Sequence, residues 1–243
     1  MSDYYQENYK TYHEGTFPID TSSLLEPFTG RLAKGSLILD VGCSSGRDLS
    51  WLKRRGFNVI GFERSKGLAD LARKNVGCEV IEGYFETYHF SELSVDAILL
   101  SGTLVHVPHK KLPNVFYNIA QALGGQWENV SDSKSATQKI EPIVRAKKAV
   151  TTISIASPLS NISHQRYAYP QGYIYISLKE GRGEKNDSAG RTFYLWQSKD
   201  LRELFNTHEF KVLDVLRNTS ALGTGEVWLS FILRKFGKNE GEK

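Results

Sequence analysis

Two carboxylates and a run of small residues between them carry the chain's clearest chemistry. In Leu37-Ile-Leu-Asp-Val-Gly-Cys-Ser-Ser-Gly-Arg-Asp48, Asp40 stands two residues ahead of a turn made of Gly42, Cys43, Ser44, Ser45 and Gly46. Glu63 then closes the next apolar run, Asn58-Val-Ile-Gly-Phe-Glu63. A carboxylate about 20 residues beyond a glycine turn is placed to accept hydrogen bonds from ribose hydroxyls. A dinucleotide site needs G-x-G-x-x-G so that the backbone can approach a pyrophosphate. Only Gly42 and Gly46 stand here, and Asp40 beside the turn would repel a pyrophosphate while suiting a cationic amino group. A nicotinamide-dependent reductase is therefore disfavoured.

The elements that must position these residues follow from the flanking pattern. Ile38, Leu39 and Val41 suit a buried parallel strand, and Leu49, Trp51 and Leu52 open a helix. The turn thus joins a strand's carboxyl end to a helix amino terminus, where open α/β sheets bind nucleotides. S-adenosylmethionine carries an ammonium, a sulfonium and no phosphate, so the charge pattern favours it. The helix amino end at Arg47–Asp48 offers backbone donors to its carboxylate.

At these residues the chain resembles the class I S-adenosylmethionine-dependent methyltransferases. Asp40-Val-Gly-Cys-Ser-Ser-Gly46 is similar to their first motif, acidic-x-Gly-x-Gly-x-Gly, with Ser44 in place of the middle glycine, and Glu63 resembles the ribose-binding acid. The resemblance runs from about residue 30 to residue 235. It implies an α/β, Rossmann-like doubly wound sheet of seven strands, mostly parallel with an antiparallel last strand. It also implies that Asp40, Gly42, Cys43, Ser44, Gly46, Arg47, Glu63 and Arg64 bind the cofactor. By the same likeness Phe85 and Glu86 flank the adenine, although Glu86 reads equally as a surface turn, and Ser101 lies beside the cofactor.

Val95-Asp-Ala-Ile-Leu-Leu-Ser-Gly102 reads as the fourth strand, followed by Thr103-Leu-Val-His-Val-Pro108. That order resembles the fourth motif of small-molecule methyltransferases, with His106 on the substrate side. An imidazole titrates near neutrality and suits proton transfer; the alternative is a neutral histidine that fixes the loop before Pro108. Residues 1–29 carry Tyr4, Tyr5, Tyr9, Tyr12, His13 and Phe17, either as a lid over the cofactor or as plain helix packing. The strand Gly172–Leu178 is delayed by an insertion of about residues 126–170, which reads as a substrate cap, a dimer contact or an inert excursion. Over residues 126–150 its net charge is only +2, too weak for a nucleic-acid patch. Residues 179–191 read as a polar loop in which Arg182, Lys185 and Arg191 either meet an acidic substrate or are solvated.

The 243 residues suffice for a single domain spanning 1–243 with a full core. Cys43 and Cys78 provide neither a disulfide framework nor metal-ligand spacing. There is no apolar signal segment and no membrane-length apolar run, so cytoplasm is the expected location. The net charge of +4 permits an anionic partner without requiring nucleic acid. A homodimer stays open. No cysteine follows Cys78 to serve cytosine-carbon methylation, and Ser-Gly-Thr-Leu replaces the Asn-Pro-Pro-Tyr of adenine-amino methylation. The expectation is in-line transfer of a methyl group from S-adenosylmethionine to a small-molecule acceptor. The alternatives are a non-catalytic binding module on the same fold and an RNA methyltransferase.

Overall fold

The computed structural model describes residues 4–124 and 172–236, so the insertion at about 126–170 lies outside the described residues. Its apolar runs assemble a seven-stranded sheet. The strands are β1 (Leu37–Val41), β2 (Asn58–Glu63), β3 (Val80–Glu82), β4 (Ala97–Ser101), β5 (Tyr173–Lys179), β8 (Phe210–Thr219) and β9 (Val227–Lys235), in the spatial order β3-β2-β1-β4-β5-β9-β8. Only β9 runs against its neighbours, as expected. In β1, Ile38 packs with Leu49, Leu52 and Phe28 on one face, while Leu39 and Val41 join Phe116 and Ile119 on the other. Successive strand residues point to opposite faces, so a strand apolar at consecutive positions needs cover on both.

That cover comes from α3 (Ser22–Thr29), α4 (Arg47–Arg54) and α5 (Lys66–Val76) on one side, and α6 (Leu112–Ala120) and α7 (Ser198–Thr207) on the other. Leu68, Ala69, Ala72 and Val76 line the buried stripe of α5. Its start is capped by Ser65, whose hydroxyl accepts the Leu68 amide, and Gly77 ends it in a left-handed conformation. Two short helices, α1 (Tyr4–Glu7) and α2 (Tyr9–Thr16), precede this body. The chain leaves β1 towards β2 on one side and reaches β4 on the other, so the carboxyl ends of β1 and β4 flank the topological switch point.

One local reading needs correction. Residues 184–194 form an antiparallel hairpin, β6 (Glu184–Asn186) and β7 (Thr192–Tyr194), where the sequence suggests a loop. All three β6 residues are exposed, so the apolar alternation that marks a strand is missing. Among the described residues no helix is long and apolar enough to cross a membrane.

Candidate active site at the carboxyl edge of the sheet

The turn after β1 is held from both sides by the chain itself. The Gly42 and Cys43 amides donate to the Phe62 carbonyl at 2.7 and 3.1 Å. Gly42 has φ 74°, and a Cβ there would stand 2.6 Å from Thr103 Cγ2. Thr103, just past β4, is thus pressed on the turn, and its hydroxyl donates to the Val41 carbonyl. Gly46 has φ 88°, and a Cβ there would lie 2.7 Å from Val76 Cγ2 of α5. Both glycines are required by left-handed backbone and by close neighbours. Ser44 adopts φ 53° without a glycine's freedom, which costs about 1 kcal/mol. Its Oγ is buried and has no hydrogen-bond partner. The Cys43 thiol turns away beneath β2 beside Gly61, and burial pushes its pKa well up, so only the backbone of Cys43 faces the turn.

Glu63 ties that turn to β2. It is 6% exposed. Its Oε2 accepts the Ser44 amide, and its Oε1 accepts the amides of Arg64 and Ser65, each at 2.9 Å. Burial raises its pKa and outweighs the three donors. Below the turn lies a buried polar layer. Arg47 donates to Asp48 through Nε at 2.7 Å and Nη2 at 2.9 Å, and Thr21 adds a hydroxyl at 2.8 Å. The Ser101 hydroxyl is near enough to favour the charged Asp48 carboxylate as well. Burial works to raise the Asp48 carboxyl, but Arg47 and these hydroxyls outweigh it and hold it below the usual range. Asp40, buried and facing Asp48, is pushed well up, first by burial and then by that like charge.

His106 has both ring nitrogens engaged. Nδ1 lies 2.6 Å from the Thr192 carbonyl, which can only accept, so Nδ1 carries the proton. Burial lowers the imidazole pKa, with Arg191, Arg64 and Lys179 adding to the effect. The ring is neutral, and its bare Nε2 accepts the Tyr5 hydroxyl at 2.7 Å. Tyr5 belongs to a segment laid across the crevice. Gln6 Oε1 accepts from the Ser65 hydroxyl at 3.0 Å and from the Gly67 amide at 3.3 Å. Tyr9 packs so closely on Gly67 that a Cβ there would be 2.5 Å from the ring. His13 Nδ1 lies 2.8 Å from Ser45 Oγ in the turn.

The remaining expected residues lie at the rim. The Arg64 guanidinium is 5.7 Å from the Tyr5 ring centre. Phe85 is half-buried against the core, its carbonyl accepting from Asn118, while Glu86 is exposed. The structure thus gathers Gly42, Ser44, Gly46 and Glu63 at one turn, sets Asp40, Arg47 and Ser101 beneath it, and places His106 across the crevice under Tyr5. Sequence reasoning missed Thr103 and Asp48. Asp48 had a signal, a carboxylate on the apolar face of α4 that burial must pair; Thr103 had none.

Residues 38–125, which contain the turn, Glu63, Ser101 and His106, match a family model described as a methyltransferase domain. Over those residues the chain is similar to methyltransferase domains. No curated protein matches it in sequence. Among solved structures it is similar to the 1,6-didemethyltoxoflavin-N1-methyltransferase of Burkholderia thailandensis, with 16% identity and a TM-score of 0.61 over 96% of this chain and 84% of that one. That protein was solved with 1,6-didemethyltoxoflavin and S-adenosylhomocysteine bound. A S-adenosylmethionine-dependent methyltransferase of Methanosarcina mazei matches with 15% identity and a TM-score of 0.61 over 86% of this chain and 97% of that one. Magnesium protoporphyrin IX methyltransferase of Synechocystis PCC 6803 matches with 11% identity and a TM-score of 0.56 over 97% and 86%. At these identities the likeness establishes the methyltransferase fold.

Proposed function

We propose that the chain transfers the methyl group of S-adenosylmethionine to a small-molecule acceptor seated at the carboxyl ends of β4 and β5. The single observation that carries this reading is the bond between Glu63 and the turn. A carboxylate offers about four lone-pair sites, and three amides occupy Glu63, which leaves room for one further donor such as a ribose hydroxyl. The unpartnered Ser44 Oγ beside it is the second fitting feature, because a buried hydroxyl without a partner costs about 1–3 kcal/mol that a polar ligand would recover. When bound, S-adenosylmethionine supplies a methyl group activated by a sulfonium.

The chain's residues do the rest. Glu63 and Ser44 orient the donor, while the amides opening α4 face its carboxylate. Phe85 and Glu86, on the turn after β3, flank the adenine. Arg47 and Thr21 bind Asp48, which keeps the floor of the crevice beside Ser101 rigid. His106 takes the acceptor's proton at Nε2 once the Tyr5 hydroxyl gives way, and the Thr192 carbonyl holds the imidazole in the tautomer that can do so. Much of the acceleration comes from alignment and exclusion of water, to which Tyr5, Tyr9 and Tyr12 contribute by covering the crevice.

Calorimetry with S-adenosylhomocysteine tests the reading. Wild-type protein should bind it with an affinity on the order of micromolar, about 8 kcal/mol. Glu63→Ala removes the acceptor of three amides as well as the ribose ligand, so binding should weaken by at least about 100-fold. Unchanged affinity in Glu63→Ala would remove the basis of the assignment.

A further inference from the structure

The site described above leaves one constellation unused, and it lies on the acceptor side of His106. Phe193 of β7 is its centre. The His106 ring is 4.5 Å from the Phe193 ring, Lys179 Nζ is 3.4 Å from it and the Arg191 guanidinium is 5.3 Å from it. Arg191 also stacks at 4.4 Å over Tyr4 and lies 5.8 Å from the Tyr5 ring centre. Lys179 ends β5 and is only 5% exposed, an unusual place for an ammonium. Two carboxylates face these cations. Asp187 takes Arg191 Nε at 2.7 Å and Nη2 at 2.6 Å, and Glu226 takes Lys179 at 2.8 Å with Lys185 at 3.8 Å. Arg191 and Lys179 are partly desolvated and walled by aromatic rings, while Lys185, which is exposed, puts the three cations one charge ahead of the two carboxylates.

We infer that the acceptor is a small planar acid, its carboxylate held by Arg191 and Lys179 and its methyl-accepting hydroxyl presented to His106 Nε2. This inference rests on the methyltransferase reading. A cluster one positive charge ahead, with two of its cations set beside aromatic rings, favours one further negative charge. A guanidinium has five N–H donors, more than Asp187 uses, and it matches a carboxylate's geometry. Tyr4, Tyr5 and Phe193 favour a flat molecule, since aromatic rings gain from offset-stacked or edge-to-face contact with another ring. Tyr5 supplies the template for the other end: its phenol already bonds His106 Nε2, the position that an acceptor phenol would take over. In the step itself the acceptor oxygen forms its bond to the methyl carbon as the carbon–sulfur bond breaks. The phenolic proton passes to His106 Nε2, and neutral S-adenosylhomocysteine leaves.

The test titrates 4-hydroxybenzoate and its neutral counterpart 4-hydroxybenzamide into the full chain saturated with S-adenosylhomocysteine, read by calorimetry. The acid should bind about tenfold or more tighter than the amide. Arg191→Gln should cut that preference below about threefold without moving the S-adenosylhomocysteine Kd, and Arg191→Lys, which keeps the charge, should retain part of it. Equal binding of acid and amide, binding of neither, or a preference that survives Arg191→Gln overturns the inference. Should Arg191→Gln fail to fold, the wild-type acid-to-amide comparison decides alone. S-adenosylhomocysteine binding without an acid preference sinks only this inference, whereas absent S-adenosylhomocysteine binding sinks the methyltransferase reading beneath it.

Discussion

Ser44 is strained and unsatisfied at once, with φ 53° and a buried hydroxyl that bonds nothing. Glycine at this position would remove the left-handed penalty and the orphan oxygen together. Ser44→Gly should therefore raise unfolding stability by about 1 kcal/mol in urea titration, while weakening S-adenosylhomocysteine binding if the hydroxyl contacts the donor. His106 makes a prediction in the pH dimension. Its folded pKa lies below the ordinary value of about 6.5, so between the two values the unfolded chain binds a proton that the folded chain refuses. Stability should fall as pH drops below about 6.5, and His106→Gln should flatten that decline in thermal melts across pH 5–8. The methyl-transfer rate should keep a neutral imidazole, and hence its plateau, to a pH below 6.5. At this scale the turn and Glu63 were legible because spacing along the chain carries them. The bonds from His106 to Tyr5 and Thr192 were not, because their partners lie 101 and 86 residues away and no local pattern encodes them. The upward shift of the Asp40 carboxyl was hidden too, because it follows first from burial and then from the charge of Asp48, and both are set by folding.

At the level of elements, α5 and the segment α1–α2 are joined at a single tight spot. Gly67 lies in the first turn of α5, where alanine would ordinarily improve helix stability by up to about 1 kcal/mol. Here its Cβ would sit 2.5 Å from the Tyr9 ring, and overpacking of this kind costs about 1–3 kcal/mol. The terminal segment is the lighter partner and should yield. Gly67→Ala should leave the melting temperature nearly unchanged while the amides of residues 4–17 exchange with solvent markedly faster. Uniformly slow exchange in that variant would mean the segment is anchored elsewhere. The strands of the main sheet were readable because β1 and β4 are apolar at consecutive positions, as doubly covered strands must be. The β6–β7 hairpin was not, since β6 is wholly exposed and only Phe193 of β7 is buried. The aromatic-rich terminus was readable as a covering segment or as packing, and its course over the turn emerges only from its contacts with Ser45, Ser65 and Gly67.

Across the whole molecule the sheet separates two tasks. The β1–β3 half carries the turn and Glu63, and the β4–β5 side, with its attached hairpin, carries His106, Lys179, Phe193 and Arg191. The two meet where Thr103 presses on Gly42, so a change at either residue should disturb both. Gly42→Ala should lower stability by about 2–4 kcal/mol in chemical denaturation, from backbone strain and the Thr103 clash together. The seven-stranded sheet and its antiparallel last member were expected only through the family resemblance carried by Asp40–Gly46 and Glu63. The contact between the halves was not, because Thr103 looks like any loop threonine. The hairpin has a different bearing. Since β6 and β7 pair only with each other, and both ends return to the sheet near Lys179 and Trp196, an exchange of residues 182–195 for a foreign ribbon of equal length would leave every main-sheet ladder intact. Natural relatives or engineers can thus retarget the molecule by trading this detachable ornament, with the donor-handling machinery left as it stands.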